Sequence, residues 1–366
     1  MDFGLGMMGY NGCWDDAAFA EEHGFSTAGF VDSPLIGGDP FVCMGLAAQA
    51  TRRIRLGTFL AIPTNRNAAV VAAGMATVNK MAPGRTFIGV GTGYTGRATF
   101  GLGPVAAWKM RDFARECREL LDGRPARHRV GDSDREIRFR HKKDLYVDTG
   151  NLPIYVAADG PKALKAAGEA GEGLVVTLQY ASVMGNAPEV FAAQLATARA
   201  AASAAGRSWD DVYTMWSIVH CVLEPGESAA SSRVLERVGA AAMMVYHSYA
   251  CNPALGEHLP PPIKERLDLY EKEVISRFGL PRELAYQEAH AGHLSHLLDG
   301  EAAVLTDEIV RMTTLTGTAD EIASQLRRLE EVGLKNVSFW IPPHLTREVI
   351  LEVEGQLMPR LQVAAA

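Results

Sequence analysis

The stretch Pro153-Ile154-Tyr155-Val156-Ala157-Ala158-Asp159-Gly160-Pro161-Lys162-Ala163-Leu164 carries the fold in miniature. A short apolar run over 153–157 reads as a buried strand, and Pro161 at a first helical position opens a helix over 161–170. The same strand–turn–helix punctuation recurs on both sides of it. Toward the N-terminus the pattern predicts strands over 3–8, 26–31, 54–62 and 85–90, with helices over 15–24, 40–50, 68–81 and 105–121. Toward the C-terminus it predicts strands over 173–178, 212–222 and 336–341, with helices over 188–205, from about 227, over 318–332 and over 346–361. Asp39-Pro40 is an N-cap followed by Pro, and Thr318 with Glu321 has capping-box spacing.

Eight strands alternating with helices predict an α/β fold with a parallel sheet, and eight is the number that closes into a (β/α)8 TIM barrel. A doubly wound open sheet would carry a glycine-rich phosphate turn after its first strand. Gly9-Tyr10-Asn11-Gly12 stands there instead. The chain is read as a single domain over 1–366 with two insertions. One, polar and Arg-rich over about 122–151, follows the fourth helix. The other, over about 250–316, separates strands seven and eight and contains Leu259-Pro260-Pro261-Pro262. The alternating Arg residues over 135–140 read as a solvated face.

Composition bounds the function. Thirty-six Lys+Arg against 43 Asp+Glu leave a net charge of −7, so no basic face for nucleic acid is expected. The chain is 48% hydrophobic and 22% charged, enough apolar surface to offset the ordering entropy of a folded core. No apolar run reaches the roughly 20 residues of a membrane span, and Met1-Asp2-Phe3-Gly4-Leu5 lacks a signal-peptide pattern. Cys13, Cys43, Cys117, Cys221 and Cys251 are scattered, without a CxxC pair, which fits a cytoplasmic location. The 36 glycines exceed the usual share of about 7%, and their positions are informative.

In a barrel of this kind chemistry sits at the C-terminal ends of the strands. Gly160-Pro161-Lys162 places a free helix N-terminus and a lysine at one such end, a good anion site, with Ala158 beside it. Gly91-Thr92-Gly93 resembles a phosphate loop when read alone, and a tight turn over the barrel mouth explains it equally well. Asp32 ends an apolar strand, where a carboxylate is costly unless paired or used. His290 and His293 share a face if helical. HxxH can ligate metal, but no Glu or Cys stands nearby at metal-site spacing, so no metal is expected; they read as pocket-lining or packing residues. His220, near a strand end, is read the same way. Met243, Met244, Tyr246 and Tyr249 have helical spacing, which suits core or a homodimer interface ahead of a pocket. Esterase, zinc-protease and Walker motifs are absent. A mouth rich in small residues and poor in acid–base groups suits a cofactor that brings its own chemistry.

Arg55-Leu56-Gly57-Thr58 through Pro63-Thr64-Asn65-Arg66, Pro83-Gly84-Arg85 through Gly91-Thr92-Gly93, Ala157 through Leu164, and Thr316-Gly317-Thr318, in this order, resemble the bacterial-luciferase-like superfamily of flavin- and deazaflavin-dependent oxidoreductases. Within it the chain looks most like the methylenetetrahydromethanopterin reductase branch, which uses coenzyme F420. The resemblance implies hydride transfer between F420 and a small organic substrate. It leaves open an FMN-dependent monooxygenase fed by a separate reductase, and a non-catalytic flavin-binding barrel. It implies a non-prolyl cis peptide at Ala61-Ile62 supporting the cofactor ring, with Asn65 close by. Ala158, Gly160, Pro161 and Lys162 would hold the cofactor phosphate, and Gly91, Thr92 and Gly93 would approach the flavin or its tail. Asp32, His290 or solvent would supply the proton, and His220 and His293 would line the substrate pocket. Asn65-Arg66-Asn67-Ala68 departs from the Thr-Arg-His-Pro frequent in relatives, leaving the role of that histidine to Asn67 or to nothing.

Overall fold

Eight parallel strands follow the chain order of the βα units: β1 (Asp2–Met7), β2 (Thr27–Phe30), β3 (Arg55–Ala61), β4 (Thr86–Val90), β5 (Ile154–Ala157), β6 (Gly173–Val176), β7 (Tyr213–Ile218) and β8 (Asn336–Trp340). They close in the order β1-β8-β7-β6-β5-β4-β3-β2, so the sheet has no edge, as expected of a (β/α)8 barrel. In this computed structural model the described residues are 1–131, 133–140, 143–178 and 181–362.

The helices cover the outside. They include α1 (Cys13–Glu22), α2 (Pro40–Ala50), α3 (Ala68–Met81), α4 (Ala107–Leu121), α5 (Pro161–Ala170), α6 (Ala187–Ala204) and α7 (Ala319–Glu331). The chain then runs through Thr346–Glu352 into a π turn and a last helical turn. The caps read from sequence are present. Asp39 accepts from the N–H groups of Phe41 and Val42, and Thr318 and Glu321 form the reciprocal capping box. The polar stretch after α4 contains an antiparallel hairpin, Ala126–Val130 with Ser133–Ile137, on which Arg135, Arg138 and Arg140 are exposed.

Strand alternation separates two faces. Phe3, Leu5 and Met7 of β1 point outward into the core beneath the helices, and Gly4 and Gly6 point inward. The interior is a separate cluster of Phe59, Phe87, Tyr155, Val175 and Met215, with Tyr213 and Trp340 against it. Each large ring stands where a neighbouring strand has glycine. A Cβ on Gly57 would lie 2.5 Å from the Phe87 ring, one on Gly29 2.6 Å from Phe59, one on Gly173 2.2 Å from Tyr155, and one on Gly6 2.6 Å from Trp340. At the N-terminal end, Arg55 stacks on the Tyr213 ring, 4.7 Å from its centroid, and hydrogen-bonds the Tyr155 hydroxyl.

Two boundaries differ from the sequence reading. The strand expected over 212–222 divides: Tyr213–Ile218 stays in the barrel, and His220–Val222 leaves it to pair with Leu315–Gly317. That two-stranded strap closes the neck of segment 223–314, which carries its own core of Tyr246, Tyr270, Val274, Val304 and Ile309 among others. Met243, Tyr246 and, in part, Met244 and Tyr249 pack into that core. The non-prolyl cis peptide lies at Phe59–Leu60, not at Ala61–Ile62. The β3–β4 register shifts between Thr58 and Ala61, so the irregular end of β3 begins earlier than expected. There the Thr58 hydroxyl bridges the ladder to Gly89.

Candidate functional site

The C-terminal ends of β2, β3 and β4 meet in one loop cluster. Asp32, 2% exposed, has Oδ1 3.2 Å from Arg66 Nε, and its Oδ2 has no hydrogen-bond partner. Burial pushes this carboxyl above the usual carboxylate range, opposed by the Arg66 guanidinium. Arg66 also reaches Asp39 Oδ2 at 2.6 Å. Asn65 Nδ2 donates to the Asp32 backbone carbonyl at 2.9 Å, so Asn65 ties the β3 loop to the β2 loop. Asn67 does not stand in for the missing histidine: its Oδ1 caps α3 by accepting from Val70 N at 2.9 Å.

Gly91 and Gly93 belong to this cluster, for a reason other than the one expected. A Cβ on Gly91 would lie 2.7 Å from Leu60, and one on Gly93, at φ 73°, 2.6 Å from Ile62. Their missing side chains make room for the end of β3. Thr92 uses its carbonyl to accept from Val105 N. Ala61 and Ile62 are both buried in this packing.

The turn after β5 is built differently. Gly160 has nothing within 4 Å of where a Cβ would sit. Among the described residues no side chain caps the first-turn N–H groups of α5, with Pro161 at the first position and Lys162 exposed in the first turn. Ala158 beneath is buried and donates to Val175 O at 2.9 Å. Asp159 fixes the platform. Its carboxylate accepts from Thr177 N, Thr177 Oγ1 and Leu178 N at 3.0, 2.7 and 2.7 Å, and Gln194 binds its carbonyl. These bonds join the ends of β5 and β6 and hold Leu178 at φ 58°. Burial still pushes the Asp159 carboxyl up against them. Gln179 and Tyr180, which follow the strand expected over 173–178, lie outside the described residues.

The histidines go elsewhere. His220 packs on Phe339 with ring centroids 4.0 Å apart, and its Nε2 lies 3.5 Å from Glu352 Oε1. Phe339 points outward from β8, so His220 lies between barrel and outer helix and does not line a substrate pocket. His290 and His293 are buried in segment 223–314, together with His247. Burial first, then the neighbouring histidines, push His290 down to about 2. Burial thus disfavours the imidazolium form of His290. Burial pushes His293 down to about 3.

Sequence reasoning missed Arg66, Asp159 and Trp340. Trp340, at the end of β8, stacks on Phe59 with centroids 5.5 Å apart and donates to Ser217 Oγ at 2.6 Å. It touches both the barrel interior and the core of segment 223–314. A carboxylate just before a Gly-Pro helix start was the one available signal for Asp159.

Comparison with known proteins agrees with this geometry. The family model described as luciferase-like monooxygenase matches residues 10–336. The chain is 29% identical to an F420-dependent glucose-6-phosphate dehydrogenase of Nocardia farcinica (strain IFM 10152), over 96% of this chain and 94% of the relative. It is 24% identical to a 5,10-methylenetetrahydromethanopterin reductase of Archaeoglobus fulgidus, over 94% of this chain and 93% of that one. Among solved structures, the coenzyme F420 dependent tetrahydromethanopterin reductase of Methanopyrus kandleri superposes with a TM-score of 0.66 at 19% identity, covering 98% of this chain and 99% of the other.

Proposed function

The chain belongs to the luciferase-like monooxygenase family, and on that premise we propose that it is an oxidoreductase transferring hydride between coenzyme F420 and a small organic substrate. The observation that carries the cofactor reading is the uncapped start of α5. Backbone N–H groups without a side-chain cap among the described residues, the positive end of the helix dipole, open space over Gly160 and the Lys162 charge together suit a phosphate. Gly160, Pro161 and Lys162 would hold that phosphate, with Ala158 and Asp159 as the rigid base beneath. The end of β3, with Leu60 and Ile62 braced on Gly91 and Gly93, would support the ring. Bound F420 supplies the hydride chemistry. The protein supplies orientation, a dry aromatic floor at Trp340 and Phe59, and a proton-holding group.

Asp32 is the group we assign to that last role. A buried carboxyl with one free oxygen and a raised pKa holds a proton more readily than an exposed one, and Arg66 keeps it oriented. The substrate is a small molecule whose identity the residues do not specify.

Fluorescence titration with F420 tests the reading. Binding at micromolar concentration is expected, and Lys162→Ala should weaken it by about 1–3 kcal/mol. Unchanged affinity in that variant would refute the phosphate assignment. Tight binding of reduced FMN with oxygen uptake, and no binding of F420, would replace the hydride-transfer reading with a monooxygenase.

A further inference from the structure

His247, on the helix Met244–Cys251, comes from far upstream of His290 and His293, yet the three rings converge. His290 is central, edge-on to both neighbours, with centroids 5.2 Å from His247 and 5.3 Å from His293. One nitrogen of each lies within 4.8 Å of the others. All three side chains are buried, yet His247 Nδ1, both nitrogens of His290 and His293 Nδ1 have no hydrogen-bond partner. Buried polar atoms are nearly always paired, so unpaired nitrogens on three converging imidazoles call for a missing partner.

Glu301 supplies the second observation. It is fully buried, accepts from Leu298 N at 2.8 Å through Oε2, and its Oε1 sits 2.6 Å from His247 Nε2. Among the described residues His247 is its sole ion-pair partner. A buried carboxylate needs counter-charge. A cation on the far nitrogen of His247 would provide it through the ring, the carboxylate–histidine–metal arrangement that fixes the tautomer and raises ligand basicity.

We propose that His247 (through Nδ1), His290 and His293 bind a transition-metal dication of the zinc class, with Glu301 orienting His247. Three imidazoles suit zinc and its first-row neighbours and do not suit magnesium or calcium, which take oxygen ligands. Zinc–nitrogen bonds of about 2.0–2.1 Å bring tetrahedral ligands to about 3.3 Å from one another, an approach that small side-chain rotations supply. Three protein ligands leave a fourth position for water. The site clamps the helix Met244–Cys251 to a segment whose local structure is mostly 3-10 turns, Ile275–Phe278, Arg282–Gln287 and Glu301–Ala303. Its role is to hold the shape of segment 223–314, independently of the cofactor reading.

The test is titration of the full-length, chelator-stripped protein with Co2+, followed by visible absorption, and with Zn2+ in competition. One Co2+ per chain with the intense bands of four-coordinate cobalt, displaced by Zn2+, is the expected result. His290→Asn, which removes no hydrogen bond, should weaken Co2+ binding at least 100-fold while circular dichroism stays unchanged. Glu301→Gln should weaken it roughly 10–100-fold with the stoichiometry kept. Absence of a stoichiometric cobalt spectrum in the parent protein would overturn the proposal. So would equal affinity in the double variant His290→Asn/His293→Asn.

Discussion

Inside the barrel, apolar rings meet glycines across neighbouring strands, Phe87 over Gly57 and Phe59 over Gly29, and the Thr58 hydroxyl is tied into the ladder at Gly89. In segment 223–314, regular structure is sparse. Short helices and 3-10 turns surround Tyr246 and Tyr270, with unpaired polar atoms at Tyr270 Oη and the three histidines. The barrel is held by repetition, since every strand is paired on both sides. The inserted segment relies on specific contacts, and its ties to the barrel include the strap at His220–Val222, Trp340, the backbone bonds from Val183 and Met184 N–H to the Met312 and Arg311 carbonyls, and a buried ion pair. That pair is Arg237, 4% exposed, with Nη1 2.6 Å from Glu352 Oε2. Local openings come from the less regular part of a fold, so amide exchange should be faster in 223–314 than in β1–β8.

Substitutions can break or sharpen this contrast. Phe87→Ala should cost about 3–5 kcal/mol in urea unfolding, because no inward side chain can collapse across Gly57 to fill the space. A loss below about 1 kcal/mol would mean the interior is not close-packed. Glu352→Ala should cost about 3 kcal/mol by leaving the buried Arg237 with only the exposed Glu348 carboxylate, 3.6 Å away, and should increase proteolysis of 223–314 more than of the barrel. The pH dependence has a definite sign. Desolvation raises the Glu352 pKa, but His220 and Arg237 together hold it below the usual carboxylate value. Its contribution is therefore present above that value and is lost as pH falls through the depressed folded pKa. The gap between parent and Glu352→Ala should shrink in acid.

Paired caps give a finer comparison. Thr318 caps α7 on the barrel, and Thr306 caps Asp307–Thr313 in the segment, accepting from Ile309 N. Each Thr→Ala change should cost about 1 kcal/mol. If the segment opens before the barrel, Thr306→Ala will speed its exchange and leave the main unfolding midpoint in place, whereas Thr318→Ala will move the midpoint. Equal shifts would show one cooperative unit. The smallest effect is expected at Tyr270→Phe, which removes a buried hydroxyl without a partner and should stabilise by no more than about 1 kcal/mol.

Much of the barrel was legible because its signals are local. Helices over 68–81 and 161–170, the Asp39 and Thr318 caps and the strand order follow from interactions within a few residues. In the candidate site, the positions of Asp32 at the end of β2 and of the α5 start after β5 were legible for the same reason, since each stands at a recognisable βα turn. The glycines were only half read. Their excess was tied to strand ends, whereas Gly6, Gly29, Gly57 and Gly173 face the interior, where a ring from an adjacent strand takes the space. That pairing depends on closure and register, which no short window contains. His220 looked like a pocket residue because it ends a strand, but the direction its ring faces was fixed by the strap leaving the barrel.

The sequence by itself determined eight βα units, their caps, the uncapped Gly-Pro-Lys helix start and the acidic balance of the chain, because periodicity and capping act over one to four residues. The tertiary structure alone decided which glycines face rings, where β3 becomes irregular, that Arg66 meets Asp32, and that His247 joins His290 and His293. These are contacts between distant segments. They exist only once barrel closure and the packing of the inserted segment have fixed which surfaces face one another.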